Sequence, residues 1–303
     1  MIRSYLSAPG YVLGEHDEDH SRIVNLAERA EAFQLLPKAP LWGWGRIRRT
    51  ERSLPALAID TGHRTIDAAG VRPSEIDGLI LCSTSITGPA EDHGRFFAEV
   101  LTGLDLGAVG FYGITLNRCT NLLAGIDLAA SLVASGRYRR LLVITADRVL
   151  DEAERMVSYA LFSDGAASCL IGGEPVGPSF ELLGCANAQR VSDLGPTAEI
   201  SSDLARTMNE RLLEPLDMKL DDICGLMPLN IFLPLLITKE RQAGFTAEQI
   251  YSRNVTRIGH CYAADPLINL VDRQTHPGHY YLLAASVPGS RFGVLLHKQK
   301  ERG

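Results

Sequence analysis

The chain has 303 residues, 46% of them hydrophobic and 22% charged, which suits a soluble globular enzyme made of two domains or of one fold in two halves. Its net charge of −6, with acids and bases mixed along the chain, lacks the clustered Lys and Arg that bind phosphate backbones, so no nucleic acid partner is expected. No apolar run approaches the roughly 20 residues that span a bilayer, and the start, Met1 to Leu6, has no export-signal core. A cytoplasmic protein with no membrane partner is the expectation.

In chain order, a strand-like opening precedes a polar helix near Ser21 to Leu36. A link with Pro37, Trp42 and Trp44 leads to the basic run Arg46-Ile47-Arg48-Arg49. Leu54 to Ala69 has helical periodicity, and Gly70 is placed to cap it. Asp77 to Ser83 reads as a buried strand, and Glu91 to Leu101 as a helix. Asn121 to Ser135 is apolar and small on most faces, a buried helix ended by Gly136. Tyr138 to Ala146 and Ala166 to Gly172 read as further buried strands. The second half repeats this grammar: a helix from Thr197 to Leu216, a strand from Ile223 to Pro228, a helix from Ile231 to Gln242 interrupted near Pro234, and a helical turn at Thr246 to Gln249 with Thr as cap. Two closing strands, 281–285 and 292–296, flank Pro288-Gly289-Ser290. Strands alternating with helices imply an α/β fold with a mostly parallel or mixed sheet, and the repeated order implies internal duplication, with halves 1–175 and 176–303.

Cys119 is the candidate nucleophile. It lies in Thr115-Leu116-Asn117-Arg118-Cys119-Thr120-Asn121, directly before the small-residue helix. A helix N-terminus offers unpaired N–H groups and the positive end of the dipole, and both favour a thiolate. Position alone favours an inert buried thiol, since buried free cysteines are common. The other cysteines (Cys82, Cys169, Cys185, Cys224 and Cys261) form no CxxC pair and read as reduced thiols, with no finger-like spacing for a metal.

An ordered set of motifs then carries a resemblance. Ile76-Asp77-Gly78-Leu79-Ile80-Leu81-Cys82-Ser83-Thr84-Ser85, Cys119 with its helix, the strand Leu141 to Asp147, Leu161-Phe162-Ser163-Asp164-Gly165-Ala166, Gly259-His260-Cys261-Tyr262-Ala263-Ala264-Asp265 and the closing strand pair together resemble the ketoacyl synthase III group of the thiolase superfamily. The resemblance implies a five-layered αβαβα sandwich of two pseudo-symmetric halves, usually a homodimer. It implies no permanently bound cofactor. The substrate would be a thioester of coenzyme A or of a phosphopantetheine-bearing acyl carrier protein.

This chain departs from that family at its histidine and asparagine. The family's "PHQAN" reads here Met227-Pro228-Leu229-Asn230-Ile231, with Leu229 in the histidine's place, and His260 stands where the family has asparagine. The resemblance thus implies a Cys119–His260 dyad. The backbone N–H groups of Cys119 and Gly289 are the expected oxyanion donors, and His260 is the expected base. Asp265 either orients His260 or caps the helix before Pro266. Asp164 holds a turn beside the site, and Asn230 or Tyr262 could replace the lost donor. Trp42, Trp44, Arg46 and Arg48 lie where relatives contact coenzyme A, and they also fit a solvated charged face. The apolar segment Ile231 to Pro234 replaces the family's carrier-docking surface and suggests a lid or a partner subunit.

The function expected is acyl transfer from Cys119 to a small-molecule nucleophile. Decarboxylative condensation with a malonyl thioester is the nearest alternative, and a non-catalytic subunit of a heterodimer is another.

Overall fold

The apolar runs become strands buried on both faces. The structure, a computed structural model, describes residues 3–86, 89–195 and 199–299. In chain order the first half holds β1 (Ser4–Leu13), β2 (His16–Asp19), α1 (Leu26–Ala32), α2 (Ala39–Trp42), β3 (Arg46–Arg49), α3 (Leu54–Ala69), β4 (Gly78–Cys82), α4 (Ala90–Gly103), β5 (Gly110–Ile114), α5 (Asn121–Ala134), β6 (Arg140–Asp147) and β7 (Gly165–Gly172). The second half holds β8 (Ser179–Gln189), α6 (Ser202–Leu213), β9 (Ile223–Met227), α7 (Leu233–Gln242), α8 (Arg253–Arg257), α9 (Asp265–Asp272), β10 (Tyr280–Val287) and β11 (Ser290–His297).

A nine-stranded sheet runs β5-β4-β6-β7-β1-β8-β11-β10-β9. β4 and β6 are parallel, and β6–β7 and β7–β1 are antiparallel. The second half repeats these senses: β9 and β10 are parallel, and β10–β11 and β11–β8 are antiparallel. The halves join where Ser4–Ser7 of β1 pairs with Ser179–Leu182 of β8. Among the described residues, β5 has no counterpart in the second half.

α5 and α9 each pack on strands of both halves, α3 covers β1, β6 and β7, and α6 covers β8 and β11. The layers are therefore αβαβα, a thiolase-like sandwich with its largest apolar cluster around the two central helices. α5 approaches the sheet closely because Gly125 has no side chain: a Cβ there would stand 2.8 Å from Cys82 Sγ and 3.3 Å from Val143 Cγ1.

α3 has the expected bounds, opened by Ser53, whose hydroxyl accepts from Ala56 N–H, and closed by Gly70 in the left-handed conformation. The polar helix expected over Ser21 to Leu36 is corrected to Leu26–Ala32, because Asn25 takes a left-handed φ of 56° and breaks the run before it. The basic run is a strand, β3, paired with the acidic β2. The long helix expected from Thr197 is α6, shorter at both ends; Thr197 itself lies outside the described residues. At Thr246 the side chain of Gln249, not Thr246, closes the turn by accepting from Thr246 N–H. β5 and β8 carry no clear period in the sequence, since β5 is largely exposed and β8 is half-buried along most of its length.

Candidate active site

The two central helices begin alike, and their beginnings make the site. Before α5, Arg118–Thr120 forms a 3-10 turn with Arg118 at a left-handed φ of 55°, and Asn121 accepts from Asn117 N–H at 2.9 Å. Before α9, Tyr262–Ala264 forms the matching turn with Tyr262 at 52°, and Asp265 accepts from Cys261 N–H at 2.8 Å. Left-handed non-glycine residues are costly, and here they bring the two turns against each other. The duplication thus sets Cys119 from one half beside His260 from the other.

Cys119 is 7% exposed and His260 fully buried. His260 Nδ1 meets Asp265 Oδ2 at 2.5 Å. Nε2, across the ring, makes no hydrogen bond among the described residues and is the nitrogen left for the sulfur. Burial alone would push His260 toward the neutral form. Burial is the largest single effect, but Asp265 and, after it, Cys119 together outweigh it and raise the pKa to about 10. The imidazole is packed by Phe162 at 4.9 Å, Tyr262 at 6.0 Å and, edge-on, Tyr159 at 6.4 Å between ring centres. Burial raises the pKa of both tyrosine hydroxyls, which keeps them protonated. Gly259, at a φ of +81°, lets the chain reach His260: a Cβ there would lie 2.9 Å from Leu161 O and 3.0 Å from Ser163 Oγ.

Asp265 is completely buried. Its Oδ1 accepts from Cys261 N–H and from Asn230 Nδ2 at 3.0 Å, and its Oδ2 accepts from Asn230 N–H at 2.7 Å besides facing His260. Asp265 thus faces the imidazole of His260, and α9 has no side-chain cap. Asn230 is occupied by Asp265 and by Gly259 O, so it is not available as a replacement donor at the sulfur. Leu229 is buried in the apolar cluster that includes Cys119, and no histidine takes its place.

Asp164 holds structure together. It accepts from Thr50 N–H and Val149 N–H and pairs with the buried Arg155 at 3.2 Å. Gly289 sits in the β10–β11 turn at a φ of +73°, and that turn rests on the loop of Cys119, where Arg118 Nη2 donates to Pro288 O at 2.5 Å. The expected coenzyme contacts are arranged otherwise than for a free cationic face. Arg46 and Arg48 both bind Asp17, at 2.7 and 2.9 Å. Trp44 is buried against Phe232, and Trp42, half-buried, donates to Leu36 O. Among the described residues there is no metal-ligating cluster, and no helix is long and apolar enough to cross a membrane.

The sequence reading missed Asn254 and Asn269, which are fully buried behind Asp265. The available signal was a lone amide inside the apolar run Pro266-Leu267-Ile268-Asn269-Leu270-Val271.

Residues 115–186, from the loop of Cys119 into β8, match the family model for 3-oxoacyl-[acyl-carrier-protein] synthase III. A beta-ketoacyl-[acyl-carrier-protein] synthase III of Helicobacter hepaticus is 31% identical over 123 residues, 38% of this chain and 35% of that protein. Matches of this kind span well under half the length of the first curated relatives. The Geobacillus kaustophilus protein of the same name matches more broadly, 27% identical over 76% of this chain and 79% of its own. Among solved structures, the acyltransferase ChlB3 superposes with a TM-score of 0.83 at 18% identity, covering 98% of each chain. The 3-oxoacyl-[acyl-carrier-protein] synthase III of Aquifex aeolicus gives 0.78 at 17% identity, covering 97% of this chain and 99% of that one. With its sheet order, its layers and these likenesses together, the chain has a thiolase-like fold and is similar to the ketoacyl synthase III proteins.

Proposed function

We propose that the protein is an acyltransferase that forms a thioester on Cys119 and passes the acyl group to a small-molecule nucleophile. The observation that carries this reading is the buried Asp265–His260 pair beside Cys119, with Leu229 where a second donor would be needed. A protonated His260 sets positive charge beside the sulfur, which activates a thiol for attack on a thioester carbonyl. The sulfur bonds to the acyl carbon, and the donor's thiol leaves with a proton from His260. Neutral His260 then takes the proton of the incoming amine, alcohol or carbon acid as that group displaces Cys119. The N–H groups of Cys119 and Gly289 are proposed to hold the oxyanion. Releasing carbon dioxide from a malonyl group calls for two donors on the enolate oxygen, and Leu229 cannot supply one.

The donor is proposed to be acyl-CoA or an acyl carrier protein, and the location cytoplasmic. A second copy is proposed to dock on the open edge of β5. That edge exposes Phe111, at 53%, and the loop after it exposes Leu116, at 93%, and unpaired apolar edges are seldom left bare. Sedimentation should therefore show a dimer that Phe111→Lys weakens; a wild-type monomer at micromolar concentration would remove this part of the reading.

The deciding experiment is intact-protein mass spectrometry after incubation with acyl-CoA and malonyl-CoA thioesters, beside Cys119→Ala. An acyl adduct on the wild type only, with malonyl retained whole, supports the transferase. Loss of carbon dioxide from malonyl-CoA would favour a condensing enzyme instead. The absence of any adduct, with donors on coenzyme A and on carrier protein alike, would point to a non-catalytic subunit.

A further inference from the structure

Behind Asp265 lies a line of buried amides that the proposed chemistry does not use. Asn254 Nδ2 donates to Asn269 Oδ1 at 2.8 Å, Asn269 Nδ2 donates to Asn230 Oδ1 at 3.1 Å, and Asn230 Nδ2 donates to Asp265 Oδ1 at 3.0 Å. Each remaining group of the three amides is also paired. Asn230 Nδ2 reaches Gly259 O, Asn269 Nδ2 reaches Pro228 O at 2.7 Å, and Asn254 Nδ2 reaches Asp272 Oδ2 at 2.9 Å. At the outer end, the Nε of Arg257, whose side chain is 57% exposed, donates to Asn254 Oδ1 at 3.1 Å.

This pairing fixes the direction of the line. Carbonyls and carboxylates accept only, and the guanidinium donates only. Turning over any one amide would set NH2 against NH2 or oxygen against oxygen at both of its ends. The three amide dipoles therefore point the same way, with their donating ends toward Asp265. Such chains polarise one another in a dry interior, and an unpaired member there is costly. The three asparagines come from three places: the β9–α7 link, α8 and α9.

We infer that Asn254, Asn269 and Asn230 are positioning residues, a one-way amide chain that holds the Asp265 carboxylate against His260 Nδ1. The inference rests on the Cys119–His260–Asp265 reading above. With the chain intact, Asp265 cannot rotate without breaking bonds to Asn230 and Cys261. With the chain broken, Asn230 can turn its oxygen toward Asp265 and push the carboxylate off the imidazole. His260 then keeps its burial and loses the partner that opposes burial. The other titratable groups facing the imidazole are Cys119 from the turn before α5, Tyr159 from the β6–β7 connection, and Cys261 and Tyr262 from its own loop. The charges of Asp164, Arg48 and Arg155 act on Cys261, and those of Asp147, Asp164 and Arg155 act on Tyr262.

The test is Asn269→Asp, which keeps the shape and removes the donor. Asn269→Ser breaks the line without adding a buried charge, so the test stands if the first variant does not fold. Two readouts need no acyl substrate: the titration of His260 followed by ¹⁵N NMR, and the pH dependence of Cys119 alkylation by iodoacetamide. The expected result is loss of the His260 proton at least one pH unit below the wild type, with the alkylation profile moved by the same amount. A folded variant, by circular dichroism, with wild-type His260 titration and alkylation profile would overturn the inference. Because neither readout involves acyl transfer, that outcome is separate from failure of the acyltransferase reading, which the mass-spectrometric adduct decides.

Discussion

Replacing Asp265 with asparagine is expected to lower kcat for acyl transfer by roughly 10⁴, the scale seen when a base-orienting carboxylate becomes an amide that admits the wrong imidazole tautomer. The fold should tolerate the change, because the first half carries Asn121 in the matching place, where it accepts from Asn117 N–H just as Asp265 accepts from Cys261 N–H. The pH behaviour should change as well. In the wild type His260 is raised from 6.5 to about 10, against the opposing effect of burial, by Asp265 and Cys119. A pKa raised on folding adds stability that is fully present below the unfolded value of 6.5 and is lost as pH rises through about 10. In Asp265→Asn the chief raising charge is gone and burial acts with less opposition, so the imidazolium is lost at lower pH. The stability gap between wild type and variant should be widest below pH 6.5 and narrow toward pH 10. Single-turnover deacylation rates, with urea unfolding across this range, read both effects. A variant with wild-type turnover and the wild-type pH profile would remove Asp265 from the mechanism.

The second large effect concerns stability. Asp164→Ala should cost about 3–5 kcal/mol, because it strands Arg155, which is 1% exposed, without its buried partner. It also leaves the N–H groups of Thr50 and Val149 without their acceptor. Arg155 keeps Glu152, which holds the loss within this range. The urea midpoint should fall with the slope unchanged, and Asp164→Asn, which keeps an acceptor oxygen, should fall between. Protein that remains folded should still acylate Cys119. A well-folded Asp164→Asn variant that cannot be acylated would move Asp164 from the scaffold into the chemistry.

The sequence by itself determined the central elements and the setting of Cys119. Asp77 to Ser83, Tyr138 to Ala146 and Ala166 to Gly172 are apolar runs between turn signals, with the length and flanks of strands buried on both faces. Leu54 to Ala69 carried its cap, its period and its closing glycine in plain order, so its bounds needed no partner. Cys119 before a helix of small residues, and His260 in place of an asparagine, were both visible as residue identities.

What only the tertiary structure decided is what each polar side chain binds, because those partners lie far apart in sequence. Asp265, besides facing His260, accepts from the backbone N–H of Asn230, 35 residues away. The basic run is a strand whose arginines meet Asp17 and Glu18 because β2 lies alongside it. Asn230, Asn254 and Asn269 are unremarkable as isolated letters. Their order and direction arise only when the β9–α7 link, α8 and α9 close on one another, because turning over any one of the buried amides would set like groups against each other.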